Sequence, residues 1–325
     1  MNPFDIAAEC IETGGFKDKH FVKQLSQWGE KDLESLFLAA SIVRTHYKQK
    51  RVKVCSILSA KTGRCSEDCR FCAQSLHYNT HCKIEPLVSH ERIVEVATKV
   101  KEMGVKRLGL VSSGVRLTPR EVEALCRSIE FVTTKLGLNL CASFGMLGES
   151  ELAELKSAGI SRYNHNLETS QRYYPNVCTT HSFSERIKTI ERVKSVGLEL
   201  CSGGILGMGE TEEDRISMAF MLRELDVDVV SLNILNPIKG TPFGNRPLMA
   251  PREALKWIAI YRLCLPTKDI KLSGGREVAL RDLQSWLFFA GANSILVGNY
   301  LTTPGRPACE DFQLIKDLGL EVDDT

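Results

Sequence analysis

Apolar residues recur along the chain in two rhythms. Between residues 20 and 48 they fall at Phe21, Leu25, Leu33, Leu36, Phe37, Ile42 and Val43, the spacing of a helix face. Beyond residue 50 short strand-like runs take over: VKVCSIL (52–58), KRLGLVSS (106–113), LNLCASF (138–144) and RYNHNLE (162–168). They continue as LELCSGGIL (198–206), DVVSLNIL (228–235), DIKLSGG (269–275) and SILVGNY (294–300). Helix-like segments such as SHERIVEVATKVKEMG (89–104), SFSERIKTIERVKSVG (182–197) and PREALKWIAIYRLC (251–264) separate them. Several open on Ser or Pro and close on Gly, as helix ends do. Strands alternating with helices predict parallel pairing and a (β/α)₈ barrel over residues 51–320, behind an N-terminal helical extension at 1–50. A doubly wound open sheet is the alternative. In a barrel, functional residues belong at the C-terminal strand ends and in the loops after them.

Composition narrows the classes. Lysine plus arginine (42) nearly balances aspartate plus glutamate (40), so no basic surface for nucleic acid is expected. No apolar run could span a bilayer. The opening MNPFDIAAECIETGGF lacks the basic start and apolar stretch of a secretion signal, so a cytoplasmic protein is expected. Twelve cysteines in a reducing compartment are not disulfides; they are either small buried residues or metal ligands. Cys126, Cys178, Cys264 and Cys309 read as core or helix residues, and Cys10 and Cys82 as peripheral.

One stretch, KTGRCSEDCRFCAQS (61–75), places Cys65, Cys69 and Cys72 in the first βα loop. Zinc with His77 or His81 as fourth ligand is one reading, but the spacing is Cys-x3-Cys-x2-Cys rather than paired Cys-x2-Cys. Three buried structural cysteines fit poorly beside Lys61, Arg64, Glu67, Asp68 and Arg70. The preferred reading is a 4Fe–4S cluster on three thiolates, with one iron open to a ligand. Cys-x3-Cys-x-aromatic-Cys, with Phe71 as the aromatic, is the signature of radical S-adenosylmethionine enzymes. In these, one electron cleaves the sulfonium and yields a 5′-deoxyadenosyl radical.

From about residue 50 to 320 the chain resembles the biotin synthases. The stretches that carry the resemblance are KTGRCSEDCRFCAQS, YNHNLETS, CSGGILGMGET, KGTP, LSGGRE and AGANSILVGNYLTT. The resemblance implies radical insertion of sulfur into dethiobiotin, an auxiliary iron–sulfur cluster that gives up the sulfur, an electron donor such as flavodoxin or ferredoxin, and a homodimer. It also implies roles. Asn166 and Glu168 hold the ribose hydroxyls of S-adenosylmethionine, Arg186 its carboxylate, and Ser112 and Ser113 its amino group. Gly203, Ile205, Gly207 and Glu210 form the adenine-side motif, with Ile205 as the apolar face. Asn164 and Asn233 read the ureido ring of the substrate. Asn164, Asn166 and Glu168 alternate, so on a strand they would share one side. His165 would point away and pack.

The usual auxiliary site of the family takes one cysteine each from strands 2, 3 and 5 and an arginine after strand 7. Cys141 and Cys201 match strands 3 and 5, and Arg276 in SGGRE matches the arginine. Strand 2 departs, with Gly109 in place of cysteine. Cys55 on strand 1, where the family usually has serine, is the expected substitute, so the cluster is 2Fe–2S or larger. The plain reading is that Cys55, Cys141 and Cys201 are small core residues. Two other functions stay open at this point: a related radical enzyme of maturase or mutase type without sulfur insertion, which Gly109 favours, and a non-catalytic iron–sulfur or zinc protein.

Overall fold

The structure is a computed structural model, and it describes residues 2–323. Eight parallel strands close a barrel: β1 Arg51–Lys61, β2 Arg107–Ser112, β3 Asn139–Ser143, β4 Ile160–Asn164, β5 Glu199–Leu206, β6 Val229–Ile234, β7 Asp269–Leu272 and β8 Ser294–Leu296. Each pairs in parallel with the next, and β1 pairs with both β2 and β8. A ninth strand, β9 Glu321–Val322, adds to the start of β1 at Arg51 and Val52. The open sheet is thereby excluded.

Helices cover the outside. Three precede the barrel: α1 Pro3–Thr13, α2 Lys19–Ser26 and α3 Leu33–Lys48. The helix read at 20–48 is therefore two, with Gly29 in the break and α1 ahead of them. The rest are α4 His90–Glu102, α5 Pro119–Phe131, α6 Glu149–Ala158, α7 Phe183–Ser195, α8 Glu212–Glu224, α9 Pro251–Cys264, α10 Arg276–Leu280, α11 Trp286–Phe289 and α12 Ala308–Asp317. The starts of α5, α7 and α8 are fixed by capping boxes: Thr118 with Glu121, Ser182 with Glu185, and Thr211 with Asp214. Each box satisfies amides that would otherwise lack partners at the strand-to-helix turn. Among the described residues no helix is long and apolar enough to cross a membrane.

The strands sort their side chains by parity. On β2 and β3, Leu108, Leu110, Leu140 and Ala142 turn outward and are buried against the helices. Burying a leucine side chain contributes roughly 1.5–3 kcal/mol, so these rows hold the helical layer in place. Gly109, Cys141 and Ser143 therefore turn inward, and Cys55 and Ile57 do the same on β1. The interior is left open toward the C-terminal ends of the strands as a cavity of about 430 Å³.

β4 is shorter than the run at 162–168 suggested. It stops at Asn164, and the chain then runs across β5: the His165 and Leu167 amides donate to the Cys201 and Gly203 carbonyls at 2.9 Å each. Glu168 sits at φ 69°, a left-handed conformation uncommon for a glutamate. Its carbonyl accepts from the Ile205 amide at 2.9 Å. A Cβ on Gly204 would lie 2.4 Å from that oxygen, so only glycine fits opposite it.

Candidate active site

The cavity gathers side chains from the β1 loop and from the barrel walls. Cys65, Cys69, Phe71 and Cys72 line it at the open end. Their loop is wound tightly: the Cys65 amide donates to the Gln74 carbonyl at 3.0 Å, Leu76 donates back to the Cys65 carbonyl at 2.8 Å, and the Gln74 side chain accepts from the Gly63 amide at 3.0 Å. The three thiols are half-buried. Burial pushes the Cys65 thiol up and the Cys72 thiol to about 12, while the hydrogen bond with Cys178 is the main cause of the upward shift at Cys69. Thiols held protonated this way become strong donors once a metal displaces the proton.

Several polar atoms on the cavity wall are buried without a protein partner: Ser112 Oγ, Asn166 Oδ1 and His165 Nε2. An unpaired buried polar atom costs about 1–3 kcal/mol, so a polar ligand supplying those bonds would be stabilised. Ser113 differs from its neighbour, because its hydroxyl is committed to the Gly63 carbonyl at 2.7 Å. Arg186 is buried, donating to the Asn166 carbonyl at 2.9 Å and the Tyr174 hydroxyl at 2.6 Å, with Glu168 Oε1 at 3.7 Å. Burial raises the Glu168 carboxyl, and the Arg186 guanidinium only partly reverses the shift. Asn164 also faces the cavity, and its side-chain amide makes no hydrogen bond among the described residues. Asn233 is more committed: its Oδ1 accepts from the Gly274 amide at 2.9 Å and its Nδ2 donates to the Gly204 carbonyl at 3.3 Å.

Deeper in the barrel the cavity meets Cys55, Gly109, Cys141 and Lys271. Gly109 stands beside Cys141 on the paired strand. Cys201 is buried one step behind the wall, and its sulfur lies 3.5 Å from Lys271 Nζ. Burial raises the Cys141 thiol, with Lys271 and Arg107 pulling the other way.

Some expected residues lie elsewhere. Arg276 does not reach the cavity. It is fully buried, donating to Gln284 Oε1 at 2.8 Å, the Leu296 carbonyl at 3.2 Å and Asp311 Oδ2 at 2.5 Å. The structure thus places its guanidinium among Gln284, the Leu296 carbonyl and Asp311 of α12, while the basic group that lines the inner chamber is Lys271. Ile205 joins a small apolar cluster with Val177, Met208, Leu235 and Phe243 that packs on Phe71, and it does not line the cavity. His165 lines the cavity rather than packing away from it, because β4 ends before it and strand alternation no longer applies. Cys10 is buried against the Leu263 carbonyl, not peripheral, whereas Cys309 is a helix residue as expected, exposed on α12.

A group behind Cys69 also escaped the sequence reading. The ligand atoms of Cys69, Cys178 and His181 lie within 4.8 Å of one another. His181 Nδ1 is 2.5 Å from Glu67 Oε2 and 3.3 Å from the Cys178 sulfur, while Asp68 accepts from the Thr179 and Thr180 amides at 2.8 and 3.2 Å. Residues 178–181 thus clamp the cysteine loop from behind. The run CTTH, a cysteine three residues before a histidine, was the available signal.

The comparisons agree with this geometry. Residues 60–222 match the Radical SAM superfamily, and residues 231–321 match the Biotin and Thiamin Synthesis associated domain. The biotin synthase of Pelotomaculum thermopropionicum is 49% identical over 293 residues, covering 90% of this chain and 91% of its own. That of Heliobacterium modesticaldum is 48% identical over 313 residues, covering 96% of both. That of Geobacter sulfurreducens is 45% identical over 316 residues, covering 97% of this chain and 96% of its own. Among solved structures, methylornithine synthase superposes with a TM-score of 0.85 at 22% identity, over 98% of this chain and 97% of its own. The FeFe-hydrogenase maturase of Carboxydothermus hydrogenoformans gives 0.82 at 20% identity, over 98% and 78%. At that identity the two structures speak for the barrel alone, whereas the sequence relatives cover nearly the whole chain. The chain belongs to the biotin synthase family of radical S-adenosylmethionine enzymes.

Proposed function

We propose that this cavity carries out the sulfur insertion of that family, converting dethiobiotin to biotin, with the radical centre at its open end and the sulfur store below. The family works with a 4Fe–4S cluster, S-adenosylmethionine and an auxiliary iron–sulfur cluster. Bound there, these groups supply a 5′-deoxyadenosyl radical and the sulfur atom. In this reading Cys65, Cys69 and Cys72 hold the 4Fe–4S cluster. Their donor chemistry fits: three thiols on one tight loop, with a cavity rather than a fourth cysteine of the loop before them.

The chain's own residues orient the ligands. Arg186 is the buried cation available to a carboxylate. Asn166 and Glu168 offer oxygens to hydroxyl groups, Asn166 through an atom that now lacks a partner. Ser112 offers its unpartnered hydroxyl to the amino group. Phe71, backed by Ile205, offers an apolar wall to the adenine. Asn164 and Asn233 read the ureido ring; Asn233 is held rigid by the Gly204 and Gly274 backbone, and Asn164 is free to bond. Cys55, Cys141 and Cys201 hold the auxiliary cluster. Each reductive cleavage consumes one electron, so a low-potential donor such as flavodoxin or ferredoxin serves the open end. The family resemblance extends to a homodimer.

The observation that carries the reading is that one cavity joins the Cys65–Cys72 loop to Cys55 and Cys141, with amide side chains on its wall. The test is anaerobic reconstitution with iron and sulfide, followed by dethiobiotin, S-adenosylmethionine and reductant. Biotin and 5′-deoxyadenosine should both form. Formation of 5′-deoxyadenosine with no biotin under any reconstitution would favour a radical enzyme without sulfur insertion.

A further inference from the structure

Behind the cysteine loop two thiols, an imidazole and a carboxylate converge, and of these the radical centre uses only Cys69. Cys178 and His181 stand on the stretch that leads into α7, and both are buried. Ser182, directly after them, caps α7 by accepting the Glu185 amide, which fixes where that stretch ends. The Arg70 amide donates to the Val177 carbonyl at 2.9 Å and ties the stretch to the cysteine loop. The ligand atoms of Cys69, Cys178 and His181 thereby lie within 4.8 Å of one another, with His181 Nδ1 3.3 Å from the Cys178 sulfur. Glu67 Oε2 stands 2.5 Å from Nδ1 and accepts from the Thr180 hydroxyl at 2.7 Å.

Holding the cysteine loop in place does not need these groups, because Asp68 already does so through the Thr179 and Thr180 amides. What they form is a donor set for a thiophilic divalent ion. Tetrahedral zinc keeps sulfur at about 2.3 Å and imidazole nitrogen at about 2.0–2.1 Å, which spaces its ligand atoms by about 3.5–3.8 Å. The three side chains already stand near that spacing. Thiolate and imidazole donors select zinc over magnesium or calcium, and zinc stands above ferrous iron in the affinity order.

We propose that, in the chain without its 4Fe–4S cluster, Cys69, Cys178 and His181 bind one zinc ion, with Glu67 as fourth ligand, and that zinc and the cluster compete for Cys69. Loading releases the two thiol protons to solvent and uses the imidazole in its neutral form; no electron moves. Glu67 Oε2 passes from Nδ1 to the ion. One sulfur then serves two sites in turn, so zinc held here keeps the cluster from closing on the loop. The competition, though not the zinc site, rests on the reading that Cys65, Cys69 and Cys72 hold that cluster.

The test uses the full chain stripped of iron by chelator without oxygen. Zinc is spectroscopically silent, so cobalt(II) is the probe, with zinc added afterwards to displace it. The parent should show tetrahedral cobalt with sulfur-to-cobalt charge transfer, lost on adding zinc. Cys178→Ser and His181→Gln should each bind one cobalt fewer per chain, whereas the double variant Cys65→Ala/Cys72→Ala should keep it. Circular dichroism of each stripped variant is read alongside, and Cys178→Ala and His181→Asn give the same comparison with different bulk. Zinc added before reconstitution should lower the iron loaded at the 4Fe–4S centre of the parent and not of Cys178→Ser. Parental cobalt stoichiometry in the Cys178 and His181 variants overturns the site, as does its loss in Cys65→Ala/Cys72→Ala, which puts the ion on the triad. Zinc that displaces cobalt yet leaves iron loading unchanged overturns the competition. A parent that loads no 4Fe–4S cluster with zinc absent overturns the cluster reading instead and leaves the zinc site standing, since cobalt binding is measured without iron.

Discussion

A Cβ built on Gly109 would stand 3.1 Å from the Cys141 sulfur and 3.2 Å from Ile57 Cγ2. The missing strand-2 cysteine is thus not a gap waiting to be filled, because Cys141 leans into the room the glycine leaves. Gly109→Ala should push the Cys141 sulfur aside and lower auxiliary iron and sulfide, with 5′-deoxyadenosine formation retained. Iron and sulfide assays against the parent decide it. A full auxiliary complement in the variant would mean that the close approach is of no consequence.

The cysteine loop should be separable from the chamber beneath it. Alanine at Cys65, Cys69 or Cys72 is expected to abolish 5′-deoxyadenosine formation and leave the auxiliary centre in place. Cys55→Ser is expected to do the reverse: 5′-deoxyadenosine persists and biotin falls to little or none. Product analysis of the four variants side by side checks both expectations.

The Asn164 side chain has no hydrogen-bond partner among the described residues, so its truncation should act on the ligand. Asn164→Ala should weaken dethiobiotin binding by about 1–3 kcal/mol, since a polar ring atom is left buried without a partner. S-adenosylmethionine binding should barely change. Calorimetric titration with each ligand separates the two, and equal losses would remove the ureido role. Asn233→Ala carries an added stability cost, because it frees the Gly274 amide and the Gly204 carbonyl.

Arg276 should behave as a structural residue. Its guanidinium and the Asp311 carboxylate are both fully enclosed. Arg276→Met strands that carboxylate in the interior, a loss of about 3–5 kcal/mol for a buried pair broken on one side. Denaturant titration should show it, while the iron content of the folded fraction stays parental. Loss of auxiliary iron from a variant of unchanged stability would restore Arg276 to the chamber.

Alkaline pH should loosen the N-terminal helices from the barrel. Burial pushes the Cys10 and Cys264 thiols up to about 12 each, against about 8.5 in an unfolded chain. Folding favours their neutral forms, so this contribution is complete below pH about 8.5 and is lost as pH rises toward 12. Unfolding free energy should fall across that window, and less steeply in Cys264→Ala. An identical slope in the variant would place the effect elsewhere.

Much of the fold is legible in the sequence. The strand runs carry the barrel because parallel strands covered by helices read as near-continuous apolar segments. The Cys65–Cys72 spacing marks the loop as a candidate for metal ligands, and the structure places all three cysteines on the cavity wall. What failed did so for local reasons. Alternation along YNHNLET misplaced His165, since β4 ends at Asn164 and the chain bends through the left-handed Glu168. Arg276 and Lys271 stand five residues apart, and only the strand's end distinguishes a side chain inside the barrel from one buried under α12. The partnership of Cys178 with Cys69 joins positions 109 residues apart and has no local signature.

Cys55 and Cys65 belong to one unbroken piece of chain, β1 and the loop that leaves it. A strand advances about 3.3 Å per residue, so the distance between the two ends of the cavity is set by a covalent ruler. The Cys55 end and the strand up to Lys61 cannot shift without breaking β1 out of the sheet, where both of its neighbours and β9 hold it. The separation of the two ends of the cavity is thus set by the length of β1 as far as Lys61, and only the four residues from there to Cys65 are left to the loop.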